Sequence, residues 1–330
     1  MKRVRLLAAS CCAGFPETAS LGERVLLNRR MILECLNMAS SYEPDFVCFP
    51  ELVLQQQIGS ISDMLPFAER IPGKTAHLVA AKARTLRSHV IFCTVERDGD
   101  RLYNTAVLAG RDGSIIGNYR KYHATAYEMR DGIDPGEEIP VWKSDCGPVG
   151  CAISFDLKFP EVGLALSRGG ARVVFSPTTF LGGQRMISWA MDYGFYMVRC
   201  QATSGLIVDP TGAVVATEGP PLEVGGLDAR VKWTFAEVNI DRKTYHLDFS
   251  LDKAKAIAKK YGAGVDIRYM YPEGIFSLAS NMPKVTVLDI EKRFGLQDLR
   301  SYLDEADAVR REILASRKEK PRPFTVNPSE

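Results

Sequence analysis

The sequence predicts a layered α/β sandwich with mixed sheets. Short apolar runs that read as buried strands alternate with helical stretches carrying an apolar stripe. Asp-Gly pairs between apolar runs mark antiparallel hairpins, which a purely parallel doubly wound sheet does not contain. The 330 residues, 46% apolar and 25% charged, suffice for one large globular domain or two small ones.

Taken in order, Val4–Ser10 reads as a first strand and Leu21–Ser41 as a helix with Leu26, Leu27, Met31, Leu33 and Leu36 along one side. A second buried strand over 45–49 is stopped by Pro50, which leaves Glu51 at a strand tip, where α/β folds place their chemistry. A helix over 75–87 precedes strands over 90–96, 102–109 and 114–119, separated by turns at Gly99 and Gly113. An irregular segment from His123 to Pro140 contains Glu128. A buried strand then runs up to Ser154, turns sharply, and enters a helix over 161–167 that opens with Pro160-Glu161, proline suiting the first helical position and an acid the positive helix end. The strand over 171–176 ends in Pro177-Thr178-Thr179-Phe180. A helix over 184–195, strands over 196–202, 205–210 and 213–217, and a strand over 233–240 complete the core. Beyond it, 241–261 reads as a lysine-rich helix, 285–288 as a short strand and 296–317 as a charged amphipathic helix, with fraying at 318–323. Residues 1–245 are therefore expected to form the main domain. Residues 246–330 are expected to be an extension that packs on the core or on a partner subunit and can supply part of a site wall.

Composition narrows the function. A net charge of +2 without a basic run interleaved with aromatics gives no support for nucleic-acid binding. The apolar run after Met1-Lys2-Arg3 is too short for a signal peptide or a membrane span. Eight cysteines without a C-x-x-C pair, several inside apolar strands, point to reduced, buried thiols and a cytoplasmic protein. His77, His89, His123 and His246 are scattered without metal-ligand spacing, so metal ligation is not expected.

Glu51, Lys121 and Ser154 are polar residues at or beside the ends of apolar strands. Singly, each has a plain explanation: a solvated terminus, a surface loop, a small buried serine satisfied by backbone. Together they offer a general base, an ammonium that can stabilise an oxyanion, and a nucleophile position on a strand-to-helix turn. No histidine lies in a comparable place to complete a Ser-His-Asp arrangement, although His123 is close to Lys121 in sequence.

Three blocks, Phe46-Val47-Cys48-Phe49-Pro50-Glu51-Leu52, Tyr119-Arg120-Lys121-Tyr122-His123 and the stretch from Gly150 to Glu161, resemble the signatures of the nitrilase, or carbon–nitrogen hydrolase, superfamily. Asn28, the stretch from Leu102 to Ala106, and that from Ile207 to Gly212 fit the same pattern, so the resemblance spans about residues 3–240. It implies a four-layer αββα sandwich, assembled as a homodimer or higher homo-oligomer. It also implies hydrolysis of a small carboxamide or N-carbamoyl compound by Glu, Lys and Cys, without metal or cofactor. The catalytic positions carried over are Glu51, Lys121 and Ser154, with Glu128 as the second acid and the Phe155 N–H joining Lys121 in the oxyanion hole. Candidate substrate contacts are Tyr127, Thr178, Thr179 and Phe180; Tyr127 and Phe180 read equally as packing.

Two departures stand out. Ser154 occupies the position of the family cysteine, and a carboxylate is a poor match for deprotonating an alcohol, so little or no turnover is expected. Either the serine is an introduced replacement in an amidase-type enzyme, or the chain is a natural pseudoenzyme that binds an amide ligand or serves in an assembly. Cys151, an odd three positions earlier, should face away; Cys146 and Cys200 stay open as substitutes. Moreover, Ala202-Thr203-Ser204 runs almost directly into the next strand, where the family carries a longer glycine-rich loop, so one wall of the site is expected to be short.

Overall fold

The computed structural model describes residues 3–316. Strand β1 (Arg3–Ala13) turns Leu7, Ala9 and Cys11 to one face and Val4, Leu6 and Ala8 to the other, both buried. Helix α1 (Leu21–Ala39) starts at Ser20, whose hydroxyl accepts from the Glu23 N–H while the Glu23 carboxylate accepts from the Ser20 N–H. There follow β2 (Phe46–Cys48), α2 (Ile61–Met64), α3 (Lys74–Leu86), β3 (His89–Asp98), β4 (Arg101–Ala109) and β5 (Ile115–Arg120). Asp98 pairs with Arg101 across a tight turn in which Gly99 takes φ +60°, the hairpin its Asp-Gly sequence predicts.

The second half of the core begins with α4 (Ala126–Arg130), inside the segment expected to be irregular. It continues with β6 (Val141–Ser144), β7 (Gly147–Cys151), α5 (Pro160–Arg168), β8 (Val173–Pro177), α6 (Gly183–Tyr193), β9 (Tyr196–Cys200), β10 (Gly205–Val208), β11 (Val214–Thr217), β12 (Leu222–Glu223) and β13 (Ala229–Asn239). One sheet orders its strands β12-β13-β1-β2-β3-β4-β5 and the other β11-β10-β9-β8-β7-β6. Helices α1 and α3 cover the first sheet, an apolar layer fills the space between the sheets, and α5 and α6 cover the second. This is the expected four-layer sandwich with mixed sheets.

Topology decides where the chemistry sits. Strands β1, β2 and β3 are parallel, and the β3–β4–β5 meander returns β5 to the same direction. Strands β7, β8 and β9 are parallel in the facing sheet. The chain therefore leaves β2, β5, β7 and β8 at one end of the sandwich.

The remaining chain differs from expectation. Residues 242–246 are not helical but form β14 (Arg242–His246), and the helix α7 begins only at Leu251 (Leu251–Tyr261). Strands β15 (Val265–Met270) and β16 (Ile275–Ser280) flank a turn with Gly274 at φ +63°, and β16 pairs with both β15 and β14. The expected strand at 285–288 is instead the start of α8 (Val287–Phe294), because Thr286 caps it and Asp289 completes the capping box. Helix α9 (Leu299–Ser316) is the predicted charged helix, whereas 318–323 lies outside the described residues. Tyr245, Ile257, Phe276, Leu278, Val287 and Ile290 give this part its own apolar cluster.

It meets the core through Arg268 on Asp209 (2.8 Å) and Asp304 on Arg168 (2.8 Å). Asp209 follows β10, which runs antiparallel to β9, so the contact lies at the end of the sandwich opposite the tips of β7 and β8. The described part of the extension therefore supplies no wall there. The link from β9 to β10 is a tight turn closed by the Gln201 N–H on Ser204 O (3.1 Å), as short as the sequence indicates. Among the described residues no helix is long and apolar enough to cross a membrane. Phe276 is fully buried and stacked on Tyr245 at 5.1 Å, so Phe276→Ala should cost about 3–5 kcal/mol in urea unfolding; a loss below about 1 kcal/mol would contradict a packed core here.

Candidate active site

Glu51 owes its place to the end of β2. Pro50 cannot donate to the sheet, and Leu52 turns the chain with φ +50°. The Glu51 carboxylate, 4% exposed, accepts from Lys121 Nζ (2.8 Å) and Asn104 Nδ2 (2.9 Å) on Oε1, and from the Thr179 N–H (2.9 Å) on Oε2. Lys121 leaves the tip of β5, with its N–H still paired to Asn104 O of β4 (2.8 Å). Its ammonium, 3% exposed, also donates to both oxygens of Glu128 at 3.0 and 2.9 Å. Glu128 is placed by a capping box: the Thr125 hydroxyl accepts from the Glu128 N–H (3.1 Å), and the Glu128 carboxylate accepts from the Thr125 N–H (2.7 Å). Asn104 Nδ2 bridges the two carboxylates, reaching Glu128 Oε1 at 2.9 Å.

The strand expected to reach Ser154 ends at Cys151, and Ser154 opens a 3-10 turn over Ser154–Lys158. Its φ of +48° is unfavourable for a residue with a Cβ and turns the side chain out of the strand line. Ser154 Oγ lies 3.5 Å from Thr179 Oγ1. Thr179 thus touches both Glu51, through its N–H, and Ser154, through its hydroxyl.

The other predicted positions are less uniform. Thr178 is buried, and its hydroxyl is used within its own loop, accepting from the Phe180 N–H (2.8 Å) and donating to Phe180 O (2.9 Å). Phe180 lies partly exposed beneath Lys158 Nζ (4.5 Å), and Tyr127 is 61% exposed on α4. Phe155 is the second residue of the 3-10 turn. Cys151 points into the layer between the sheets, although not through the expected strand alternation, since the strand ends at Cys151 and Ser154 lies in the turn beyond it. Cys200 lies in the same layer with Sγ on Cys48 O (3.1 Å), and Cys146 precedes β7, at the far end of that strand from Ser154. Neither is placed to substitute at position 154.

Three residues of the site were not singled out from sequence. Asn104 is an amide in a largely apolar strand, inside the Leu102–Ala106 stretch that fits the family pattern, but no role was assigned to it. Asp156 lies fully buried within the Gly150–Glu161 stretch, and Tyr119 ends an apolar run two residues before Lys121. Asp156 Oδ2 accepts from Tyr119 Oη and the Ile153 N–H, both at 2.7 Å, and Oδ1 accepts from the His123 N–H at 2.8 Å.

Burial opposes the charge of Lys121, yet the Glu51 and Glu128 carboxylates outweigh it and hold the ammonium above the ordinary lysine range. Burial likewise opposes ionisation of Glu128, but Lys121, the Thr125 N–H and Asn104 bring it below the usual carboxylate value. Burial pushes the Asp156 carboxyl up to about 6 against the donors from His123, Tyr119 and Ile153. The centre combines the Glu51 and Glu128 carboxyl groups with the Lys121 ammonium, with hydroxyls at its edge. Such a set can orient an amide, accept a proton and stabilise negative charge on oxygen.

Among the described residues, the one group of possible metal ligands is His89, Asp145 and Cys146, away from this centre. The Arg111 guanidinium donates to Cys146 Sγ (3.0 Å) and lies 3.4 Å from Asp145, placing a permanent cation where a metal ion would need to sit.

Removing the ammonium should expose the cost of the cluster. Lys121→Met leaves two buried carboxylates facing each other and should destabilise the fold by about 3–5 kcal/mol at neutral pH. The deficit should shrink toward about pH 5, as one carboxylate takes up a proton. In the unaltered chain the sign is opposite: the depressed Glu128 stabilises above the ordinary carboxylate range, and that contribution is lost as pH falls through its folded value. Urea unfolding of both proteins at the two pH values checks this; an equal deficit at both would contradict it.

Comparison with known proteins agrees with this architecture. The carbon-nitrogen hydrolase family model matches residues 10–227. A probable hydrolase of Bacillus subtilis is 31% identical over 150 residues, covering 43% of this chain and 29% of that protein. An omega-amidase of Saccharomyces cerevisiae is 27% identical over 151 residues, covering 38% of this chain and 52% of that protein. The matched stretch thus spans about half or less of these two relatives' lengths. Crystalline Saccharomyces cerevisiae Nit3, described as a member of branch 10 of the nitrilase superfamily, superposes with a TM-score of 0.60 over 72% of this chain and 90% of that chain; at 19% identity this likeness concerns the fold alone. With its family model matched over most of the sandwich, this chain belongs to the carbon-nitrogen hydrolase family.

Proposed function

We propose that the site is built for hydrolysis of a C–N bond in a small carboxamide or N-carbamoyl compound. The observation that carries this reading is the buried Glu51–Lys121–Glu128 cluster beside the left-handed turn at Ser154. In this reading position 154 is the nucleophile position, and a thiol there attacks the amide carbon. The Lys121 ammonium and the Phe155 N–H hold the oxyanion. Glu51 takes the thiol proton and passes it to the departing ammonia or amine, then takes one from the water that attacks the thioester and returns it to the sulfur as the acid leaves. Glu128 and Asn104 keep Lys121 and Glu51 in place, while Thr179, Phe180, Tyr127 and Thr178 shape the entrance.

Serine changes the balance. A thiol with a reference pKa of about 8.5 ionises readily beside an ammonium, whereas a serine hydroxyl needs a stronger base than a carboxylate. The hydrogen-bond contact of Ser154 Oγ is Thr179 Oγ1, itself a weak base. This supports a second reading, in which the chain retains the pocket and binds an amide ligand without turning it over.

The two readings part on one substitution. Under the first, Ser154→Cys should release ammonia from one or more members of an amide and N-carbamoyl panel, with an acyl adduct on residue 154 trapped by mass spectrometry. The unaltered chain should show little or no turnover. A well-folded Ser154→Cys protein that binds amides yet forms no adduct would support the binding reading and sink the enzymatic one.

A further inference from the structure

We infer that Asp156, acting with Tyr119, is a positioning residue that fixes the Lys121 segment relative to the side chain at position 154. The inference rests on the proposed reading only in taking those two positions as the pair that must meet.

The argument starts from the backbone. Lys121 follows a strand of one sheet and Ser154 lies beyond the end of a strand of the other, and no strand pairing of either sheet spans the two segments. What spans them is one carboxylate. Asp156 Oδ1 takes the N–H of His123, two residues after Lys121, and Oδ2 takes the N–H of Ile153, immediately before Ser154. Tyr119, two residues before Lys121, donates its hydroxyl to Oδ2, and the same hydroxyl accepts the Tyr122 N–H at 3.2 Å. The segment carrying Lys121 is thus gripped on both sides of the lysine, and the turn carrying Ser154 is gripped on both sides of the serine.

Chemistry makes the carboxylate hard to replace. All three groups that reach Asp156 are donors, and an ionised carboxylate is an acceptor at both oxygens. An amide in its place would turn an NH2 toward one of those donors. Asp156 makes no ion pair among the described residues, and it is fully buried, so its charge is held by these aligned dipoles. They also help keep Ser154 in its left-handed conformation, since the Ile153 N–H just before it is pinned to a side chain two residues after it.

A merely structural aspartate and a positioning one predict different signs. Removing a negative charge two residues from a thiol should, by electrostatics alone, make that thiol more acidic. Letting the thiol drift from the Lys121 ammonium should make it less acidic. The test places Asp156→Asn and Tyr119→Phe in the Ser154→Cys protein and follows the pH profile of iodoacetamide alkylation at residue 154 by peptide mass spectrometry. That site-specific readout sets aside the eight other thiols.

We expect Asp156→Asn to move the profile to higher pH by about one unit, which is about tenfold slower alkylation at neutral pH. Tyr119→Phe keeps the charge and should slow it by about threefold, the scale of one lost hydrogen bond. An unchanged or faster reaction in a folded Asp156→Asn protein would overturn the proposal. Should that variant fail to fold, Tyr119→Phe decides alone: slower alkylation supports the role, and an unchanged profile overturns it. Because alkylation needs no turnover, a parent protein that hydrolyses no amide would refute the hydrolase reading while leaving this test intact.

Discussion

A buried lysine held between two carboxylates is the interaction on which the rest of this end of the molecule depends. None of the three charges could be left alone there, since an unpaired buried ion costs several kcal/mol. Each is therefore tied to a different element: Glu51 to the end of β2, Lys121 to the end of β5, Glu128 to the capped first turn of α4. Asn104, from β4, donates to both acids at once and spares each a lone pair facing apolar surroundings. The tip of β8 closes the set from the facing sheet through the Thr179 N–H. Five segments are locked by one electrostatic requirement, and the lock explains why short loops can hold still at the edge of a sandwich.

The second constraint is steric. A residue with a Cβ in the left-handed region is held only where its surroundings over-determine it. Ser154 meets that condition because Ala152 is still paired to the sheet, its N–H on Phe175 O at 3.0 Å, and the Ile153 N–H is taken by Asp156. The result is a buried polar group at a fixed place beside a buried ionic cluster. The local geometry is costly by itself and informative about function for that reason.

The added C-terminal part shows where one-dimensional reading fails. Arg242–His246 lies in a lysine-rich region and looked like a helix start, yet β14 exists because β16 offers it a partner. Its inward Tyr245 is stacked on Phe276, and the Tyr245 hydroxyl donates to Glu291 of α8 at 2.8 Å. Nothing local could announce that pairing, since strand pairing is a non-local gain. The missed start of α8 is a different kind of error. Thr286 and Asp289 form a capping-box signal that was present in the sequence and outweighed by the β-branched run before it.

What the sequence determined by itself was the order of layers and the identity of the charged centre. Apolar runs buried on both faces require covered sheets, and a Glu after a proline-stopped strand together with a Lys after a hairpin strand are local facts. Glu128 was legible only through the family resemblance, which places a second acid shortly after the lysine; local reading left it in a segment taken as irregular. Only the tertiary structure decided that Thr179 reaches Glu51 and Ser154 together, that Asn104 bridges two acids, and that Asp156 ties strands of two sheets. It also placed the C-terminal part at the end of the sandwich away from the site. Apart from the local Ile153 bond to Asp156, these contacts at the site join residues from 24 to 128 positions apart. Side-chain chemistry says what each group needs, and sheet order and strand direction alone say which neighbour supplies it.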